Sequence, residues 1–282
     1  MIRFGPSGNE ARFAETGHKS TLDAPKYVAD MGLNAYEYSF GRGINIGDEK
    51  AAEIGRVAAG FDVALSVHAP YYINFANPDD DKAENSYNYV LNSALKCRAF
   101  GGKRVVFHPS TVGALTREQA VALTKQRIDQ LAKRIVAAKL DDMIFCPETM
   151  GKINQIGDVA EVTEFCKSAE FFIPTIDFGH LNARTHGSLR TEEDYEAIVK
   201  HLVDNLGFQR ASQMHVHFSK IEYGKGGEVR HLTFADTVFG PEFLPLARVI
   251  KKYKLSPTII CESSGTQCAD ALEMKRIYES LL

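Results

Sequence analysis

The sequence predicts an α/β chain folded as a single-domain (β/α)8 TIM barrel over residues 1–282, and three observations predict it. Short apolar runs alternate with segments of helical spacing from end to end, and eight such pairs fit the chain. No Pro/Gly/Ser-rich linker, low-complexity tract or charge block divides them. Most of the runs stop at a His, Asp or Glu, and a barrel of this kind gathers its active side chains at the carboxyl ends of its strands. A doubly wound open sheet is the alternative, but it normally has fewer units. Its phosphate signature is also missing, because Gly5-Pro6-Ser7-Gly8 is too short and leads into no helix start.

The units follow in order. Ile2–Gly5 reads as the first strand and Ala24–Met31 as the first helix. Ala35–Phe40 is followed by helical spacing over Lys50–Ala59. Ala64–Tyr71 contains Val67-His68 and precedes the helix Glu84–Phe100. Arg104–Pro109 contains Val106-Phe107-His108 and leads to Glu118–Ala138, whose start is marked by Thr116 before Arg117-Glu118-Gln119. Asp142–Glu148 ends in Cys146-Pro147-Glu148, ahead of Val159–Lys167. Phe171–Phe178 contains Ile176-Asp177, and its helix, Glu192–Leu206, opens with Glu192-Glu193-Asp194 behind Thr191. Gln213–Ser219 contains Val216-His217 and precedes Glu242–Lys254. Thr258–Ser263, with Cys261-Glu262, and the helix Ala269–Leu282 complete the set.

With 44% hydrophobic and 24% charged residues, the chain has an ordinary globular composition and enough apolar matter for a core without disulfides. Five cysteines, odd in number and without a Cys-x-x-Cys pair, read as reduced buried thiols of a cytosolic protein. Met1-Ile2-Arg3-Phe4-Gly5 turns polar too early for a signal peptide, and no apolar run reaches membrane-span length. A cytoplasmic protein with no membrane contact and no obligate protein partner is expected. The net charge, 33 − 36 = −3, speaks against binding polyanions over the whole surface but leaves room for a local basic face.

A carboxylate or imidazole at the end of a buried strand is costly unless something pairs with it. Six strands doing so at once point to a shared cluster of metal ions. His68 and His108 end neighbouring strands before Pro-containing breaks, and neutral imidazole is a common zinc ligand; the bland alternative is a satisfied core histidine. Glu148 and Glu262 end the fifth and eighth strands, where a salt bridge or helix cap is the alternative to ligation. Asp177 and His180, three residues apart, can reach one site from a strand end and the turn after it, unless Asp177 only caps that turn. His215 and His217 share a strand face; His217, nearer the carboxyl end, should reach the site, with His215 a layer deeper and structural. His231 sits in a Gly/Lys-rich loop and gains interest only from its company. His18, His186 and His201 receive no role, and Cys146 reads as a small core residue. Tyr71 and Tyr72 follow His68, while Arg42, Lys152, Arg184, Lys220, Lys225 and Arg230 fall in loops at the same end. Such cations usually solvate loops, but interleaved with aromatics around a metal site they suit a nucleic-acid backbone.

Taken together, His68-Ala69-Pro70-Tyr71, Phe107-His108-Pro109, Pro147-Glu148-Thr149, Ile176-Asp177-Phe178-Gly179-His180, His217-Phe218-Ser219-Lys220, Arg230-His231 and Cys261-Glu262 resemble the endonuclease IV family of apurinic/apyrimidinic endonucleases. That family lies within the wider xylose-isomerase-like barrels. The resemblance runs from His68 to Glu262; each segment is short, and their order and placement make it specific. It implies a first zinc on His68, His108 and Glu148, a second on Glu148, Asp177, His217 and Glu262, and a third on His180 and His231. It also implies that Tyr71 inserts at the abasic site, with Arg42 beside it. One departure stands out: where the family has an aspartate two residues before the loop histidine, this chain has Val229, and Glu228 replaces it if the loop shifts by one residue. The opening segment Phe4-Gly5-Pro6-Ser7-Gly8 also lacks the family's usual motif.

The resulting expectation is a two- or three-zinc hydrolase that cuts DNA on the 5′ side of an abasic nucleotide. Glu148 would bridge two ions sharing an activated water that Glu262 orients, and Tyr71, Tyr72, Arg42, Arg184 and Lys220 would contact DNA. Flipping a nucleotide out costs least where its base is already missing. The rival is a sugar isomerase or epimerase on the same barrel, which resemblance to that branch would give one Mn²⁺ or Mg²⁺ on Glu148, Asp177, His217 and Glu262, with the two glutamates as acid and base. The discriminator is the extra imidazole set of His68, His108, His180 and His231, which a one-ion sugar enzyme does not need and zinc favours. A third possibility, motivated by Val229, is a nucleic-acid- or sugar-binding protein that kept the scaffold and lost turnover.

Overall fold

Eight parallel strands close into a ring in the computed structural model, which describes residues 1–281. They are β1 (Arg3–Pro6), β2 (Ala35–Ser39), β3 (Ala64–His68), β4 (Arg104–Phe107), β5 (Ile144–Pro147), β6 (Thr175–Asp177), β7 (His215–Phe218) and β8 (Thr258–Cys261). Continuous ladders run through β2–β3–β4–β5 and through β6–β7–β8–β1. Single bridges close the two seams, Ser7 to Glu37 between β1 and β2, and Phe145 to Phe172 and Glu148 to Thr175 between β5 and β6. The chain is therefore the (β/α)8 TIM barrel that its alternating pattern predicts.

Parallel strands sheathed by helices are buried on both faces, so they read as unbroken apolar runs. Val105, Val106 and Phe107 of β4 and Ile259, Ile260 and Cys261 of β8 are all buried. Helices start where capping chemistry places them. The Thr116 hydroxyl accepts from Gln119 N at 3.3 Å while Gln119 Oε1 accepts from Thr116 N at 3.0 Å, opening the helix Arg117–Ala137. That helix buries Ile128, Leu131 and Ile135. The final helix spans Gln267–Ser280; Leu282, where the sequence predicts its end, lies outside the described residues. All five cysteines are free and buried, and among the described residues no helix is long and apolar enough to cross a membrane.

Two local departures from the sequence reading shape the site. The sixth strand is short because Pro174 cannot donate to a ladder, so continuous pairing begins at Thr175. It ends at Asp177, whose Oδ1 accepts from His180 N at 2.7 Å and starts the helix Phe178–Arg184 at once. The segment after β7 is not a loop but a hairpin, Ile221–Gly224 paired antiparallel with Gly227–His231.

Candidate metal centre

Strand ends and the turns that follow them bring nine side chains into three groups. These are His68, His108 and Glu148; Glu148, Asp177, His217 and Glu262; and His180, Glu228 and His231, the ligand-capable atoms of each group lying within 4.8 Å of one another. Glu148, fully buried, stands between the first two. Its Oε2 is 3.1 Å from His68 Nε2 and 3.3 Å from His108 Nε2, while Oε1 is 3.1 Å from His217 Nδ1 and 3.4 Å from His180 Nδ1. One oxygen facing each way is the disposition of a bridging carboxylate.

The donor set suits divalent ions because the far side of three of the rings, His68, His180 and His231, is already held. His68 Nδ1 lies 2.8 Å from the Ala69 carbonyl and His180 Nδ1 lies 2.9 Å from the Thr149 carbonyl. A carbonyl only accepts, so both rings carry a proton on Nδ1, and the neutral form presents an Nε2 lone pair inward. The buried Ser219 hydroxyl sits 2.9 Å from His231 Nδ1 and can do the same. Asp177 divides its labour: Oδ1 caps the next helix, and buried Oδ2 has no aligned hydrogen-bond partner. Capping and ligation, alternatives in the sequence, are both open to this one carboxylate.

A β-bulge explains how Glu228 reaches the third group. In the hairpin Glu222 pairs with Arg230 and Tyr223 with Glu228, so Val229 is the extra, unpaired residue. Val229 is 57% exposed, and the skipped position turns Glu228 and His231 to the same side. Without the bulge, residues 229 and 231 would share a face and 228 would point away. Gly151 makes room for Glu228 and His180, since a Cβ there would fall 2.6 Å from Glu228 Oε2 and 2.8 Å from His180 Cδ2. Glu228 Oε2 lies 3.5 Å from His180 Nε2, and Oε1 lies 3.9 Å from His231 Nε2.

The remaining candidates separate. Tyr71 stacks on His108 at 5.4 Å and 27°, is 54% exposed, and its backbone N–H donates to Gly41 O beside exposed Arg42. Tyr72 leans instead toward Tyr89 on the helix Asp80–Ala99. Two of the cations proposed to contact substrate are committed to internal contacts. Arg184 donates to the carbonyls of Met150, Lys152 and Gln155, and Lys220, nearly buried, holds the Asp236 carbonyl and Glu242 at 2.7 Å each. Both brace the loops around the site rather than reach out of it. Lys152, Lys225 and Arg230 stay exposed, Arg230 paired with Glu222 at 2.7 Å. A cleft of about 330 Å³ opens beside Glu262, lined also by Ser39, Tyr71, His231 and Gln267. A wider groove between the helices Arg117–Ala137 and Val159–Cys166 carries none of the nine residues. Glu37, absent from the expected site residues, lies below the second group with His215; its signal in the sequence is that it is the one carboxylate inside the predicted second strand.

Protonation follows from this crowding. Burial alone would raise Glu148, but His217 and His108 outweigh it and hold its carboxyl well below the usual range. Burial would likewise lower His180 and His217, yet Asp177 and Glu148 lift the first, and Glu262 and Glu37 the second, well above the ordinary histidine value. Asp177 goes the other way, raised by burial. In the ion-free protein, protons thus sit where an ion needs bare nitrogen. The stability these two histidines contribute is fully present below about pH 6.5 and is lost as pH rises through their raised values. Ion binding must displace those protons and so strengthens over the same interval. Melting chelator-treated and zinc-loaded protein from about pH 6 upward should therefore show a gap in Tm that widens with pH. A gap independent of pH would remove His180 and His217 from the ion-holding set.

Comparison with known proteins agrees with this picture of the barrel. Residues 25–280 match the family described as xylose isomerase-like TIM barrel. An uncharacterised protein of Methanocaldococcus jannaschii is 32% identical over 281 residues, 100% of this chain and 98% of its own. A probable endonuclease 4 of Listeria monocytogenes is 26% identical over 237 residues, 79% of this chain and 75% of its own. Among solved structures, a D-tagatose 3-epimerase-like protein matches with a TM-score of 0.71 over 99% of this chain and 96% of its own, at 15% identity, which is a likeness of fold. With nearly the whole chain matched and eight strands closed around a polar carboxyl face, the protein belongs to the xylose isomerase-like TIM barrel family.

Proposed function

We propose that this protein is a zinc-dependent phosphodiester hydrolase that cuts DNA on the 5′ side of an abasic nucleotide. The observation that carries this reading is the surplus of ligand side chains. Glu148, Asp177, His217 and Glu262 would suffice for one ion, as in the rival sugar epimerase, and leave His68, His108, His180, Glu228 and His231 without a task. Relatives named endonuclease 4 point the same way.

Bound zinc ions would supply a water ionised near neutral pH and charge stabilisation for the leaving oxygen. Glu148 would hold the first and second ions through separate oxygens, with His68 and His108 on one side and Asp177, His217 and Glu262 on the other. Glu262, 17% exposed at the open cleft, would orient the attacking water and accept its proton at a carboxylate oxygen. His180, Glu228 and His231 would hold the third ion under the hairpin. Tyr71, stacked on His108 and 54% exposed, would enter the space that a missing base leaves.

Incubating the zinc-loaded protein with a duplex carrying one abasic site tests the reading. A single 5′ nick is expected; an intact duplex, together with one equivalent of manganese and turnover of a ketose, would replace it with the epimerase. Tyr71→Ala should lower discrimination between abasic and intact duplex by about tenfold, in line with the 1–3 kcal/mol a stacked base contributes, without loss of bound zinc. Equal weakening on both duplexes would make Tyr71 a general backbone contact.

A further inference from the structure

A fully buried carboxylate lies outside the three groups. Glu37 is 0% exposed on β2, opposite Ser66 of β3 in the ladder, and the Ser66 hydroxyl donates to its Oε2 at 2.8 Å. The same Oε2 lies 3.0 Å from His215 Nε2, and Oε1 lies 2.9 Å from His217 Nε2. Neither contact is an aligned hydrogen bond, so each ring meets the carboxylate through its field. A buried carboxylate with a single hydroxyl donor needs further polar partners close by, and these two imidazoles are the nearest.

The other nitrogen of His217 faces the opposite way. Its Nδ1 is 3.1 Å from Glu148 Oε1 and 3.6 Å from Glu262 Oε1, in the second group. A neutral imidazole carries one proton, so the partner of one nitrogen decides which nitrogen offers a lone pair. His68 and His231 are fixed from behind by uncharged groups, whereas the far nitrogen of His217 meets a full negative charge.

We infer that Glu37 is a positioning residue for His217: its charge holds a proton on Nε2 and keeps the Nδ1 lone pair aimed at the group formed with Glu148, Asp177 and Glu262. This rests on reading that group as ion-holding and is independent of the substrate. His215, a layer deeper, lies against the other oxygen of Glu37; burial pushes its pKa down to about 4, so it meets the carboxylate as a neutral ring. A fourth ion on Glu37, His215 and His217 fits less well. All three side chains are sealed from solvent, leaving an ion no route in, and Ser66 already donates to Oε2.

The experiment is zinc titration against a competing chelator for wild type and Glu37→Gln, which keeps the side chain's size and removes its charge. Affinity for one zinc equivalent should fall about 10- to 100-fold, the usual effect of removing a carboxylate behind a ligating histidine, with the total bound at saturation unchanged. Nitrogen-15 histidine spectra of the zinc-loaded proteins should show His217 protonated on Nε2 in wild type and lose that single-tautomer signature in Glu37→Gln. Ser66→Ala, which weakens the hold on Glu37 without touching either histidine, should move affinity the same way by a smaller factor, and it stands in if Glu37→Gln does not fold. Unchanged affinity in folded Glu37→Gln, or in Ser66→Ala where it must stand in, overturns the inference. Loss of one whole equivalent overturns it in favour of a fourth ion. Failure of wild type to bind zinc would instead sink the reading of the group itself.

Discussion

Glu148→Gln should abolish cleavage of an abasic duplex, lowering turnover by roughly 10³-fold or more while the barrel stays folded. Losing one preorganised charge contact in an active site costs about 10²–10³-fold, and Glu148 serves two groups at once. Its Oε2 meets His68 and His108, and its Oε1 meets His217 and His180. Glutamine keeps the shape but offers one carbonyl oxygen and an amide that cannot ligate. Single replacements of His68 or His108 remove one nitrogen from one group and should cost less. Far-UV circular dichroism checks the fold, and activity within tenfold of wild type in a folded variant would end the two-ion scheme.

Glu228→Ala should lower zinc stoichiometry by about one and slow cleavage by roughly 10²-fold, because the third group would keep only His180 and His231. Val229→Asp should stay within about twofold of wild type. The bulge points residue 229 to solvent, and exposed substitutions of that kind usually change little. For the same reason, Val229→Asp should not rescue Glu228→Ala. Rescue would mean that the bulge moves to the neighbouring residue, and full zinc content in Glu228→Ala would show that Glu228 holds no ion.

The eight strands were legible because each is an apolar run closed by a polar residue, and His68, His108, Glu148 and Glu262 stand at or just past the ends of β3, β4, β5 and β8. The hairpin was not, since Gly224, Lys225, Gly226 and Gly227 read as an unstructured loop and nothing local announces a bulge at Val229. The idea of a one-residue shift toward Glu228 could be reached from sequence; its cause, a skipped ladder position, needed the pairing register. The internal contacts of Arg184 and Lys220 are not legible in the sequence, because a cation in a loop looks the same whether it meets solvent or backbone carbonyls. Glu37 is not marked as the strand-end residues are, because it lies in the middle of β2.

Anomalous diffraction at the zinc edge, on crystals of protein purified without chelator, tests the central claim most directly. Three peaks are expected, each about 2.0–2.2 Å from its ligand atoms. They should fall on His68, His108 and Glu148; on Glu148, Asp177, His217 and Glu262; and on His180, Glu228 and His231. A single peak on Glu148, Asp177, His217 and Glu262, with nothing at the histidine groups on either side, would contradict the account and leave the one-ion sugar epimerase in its place.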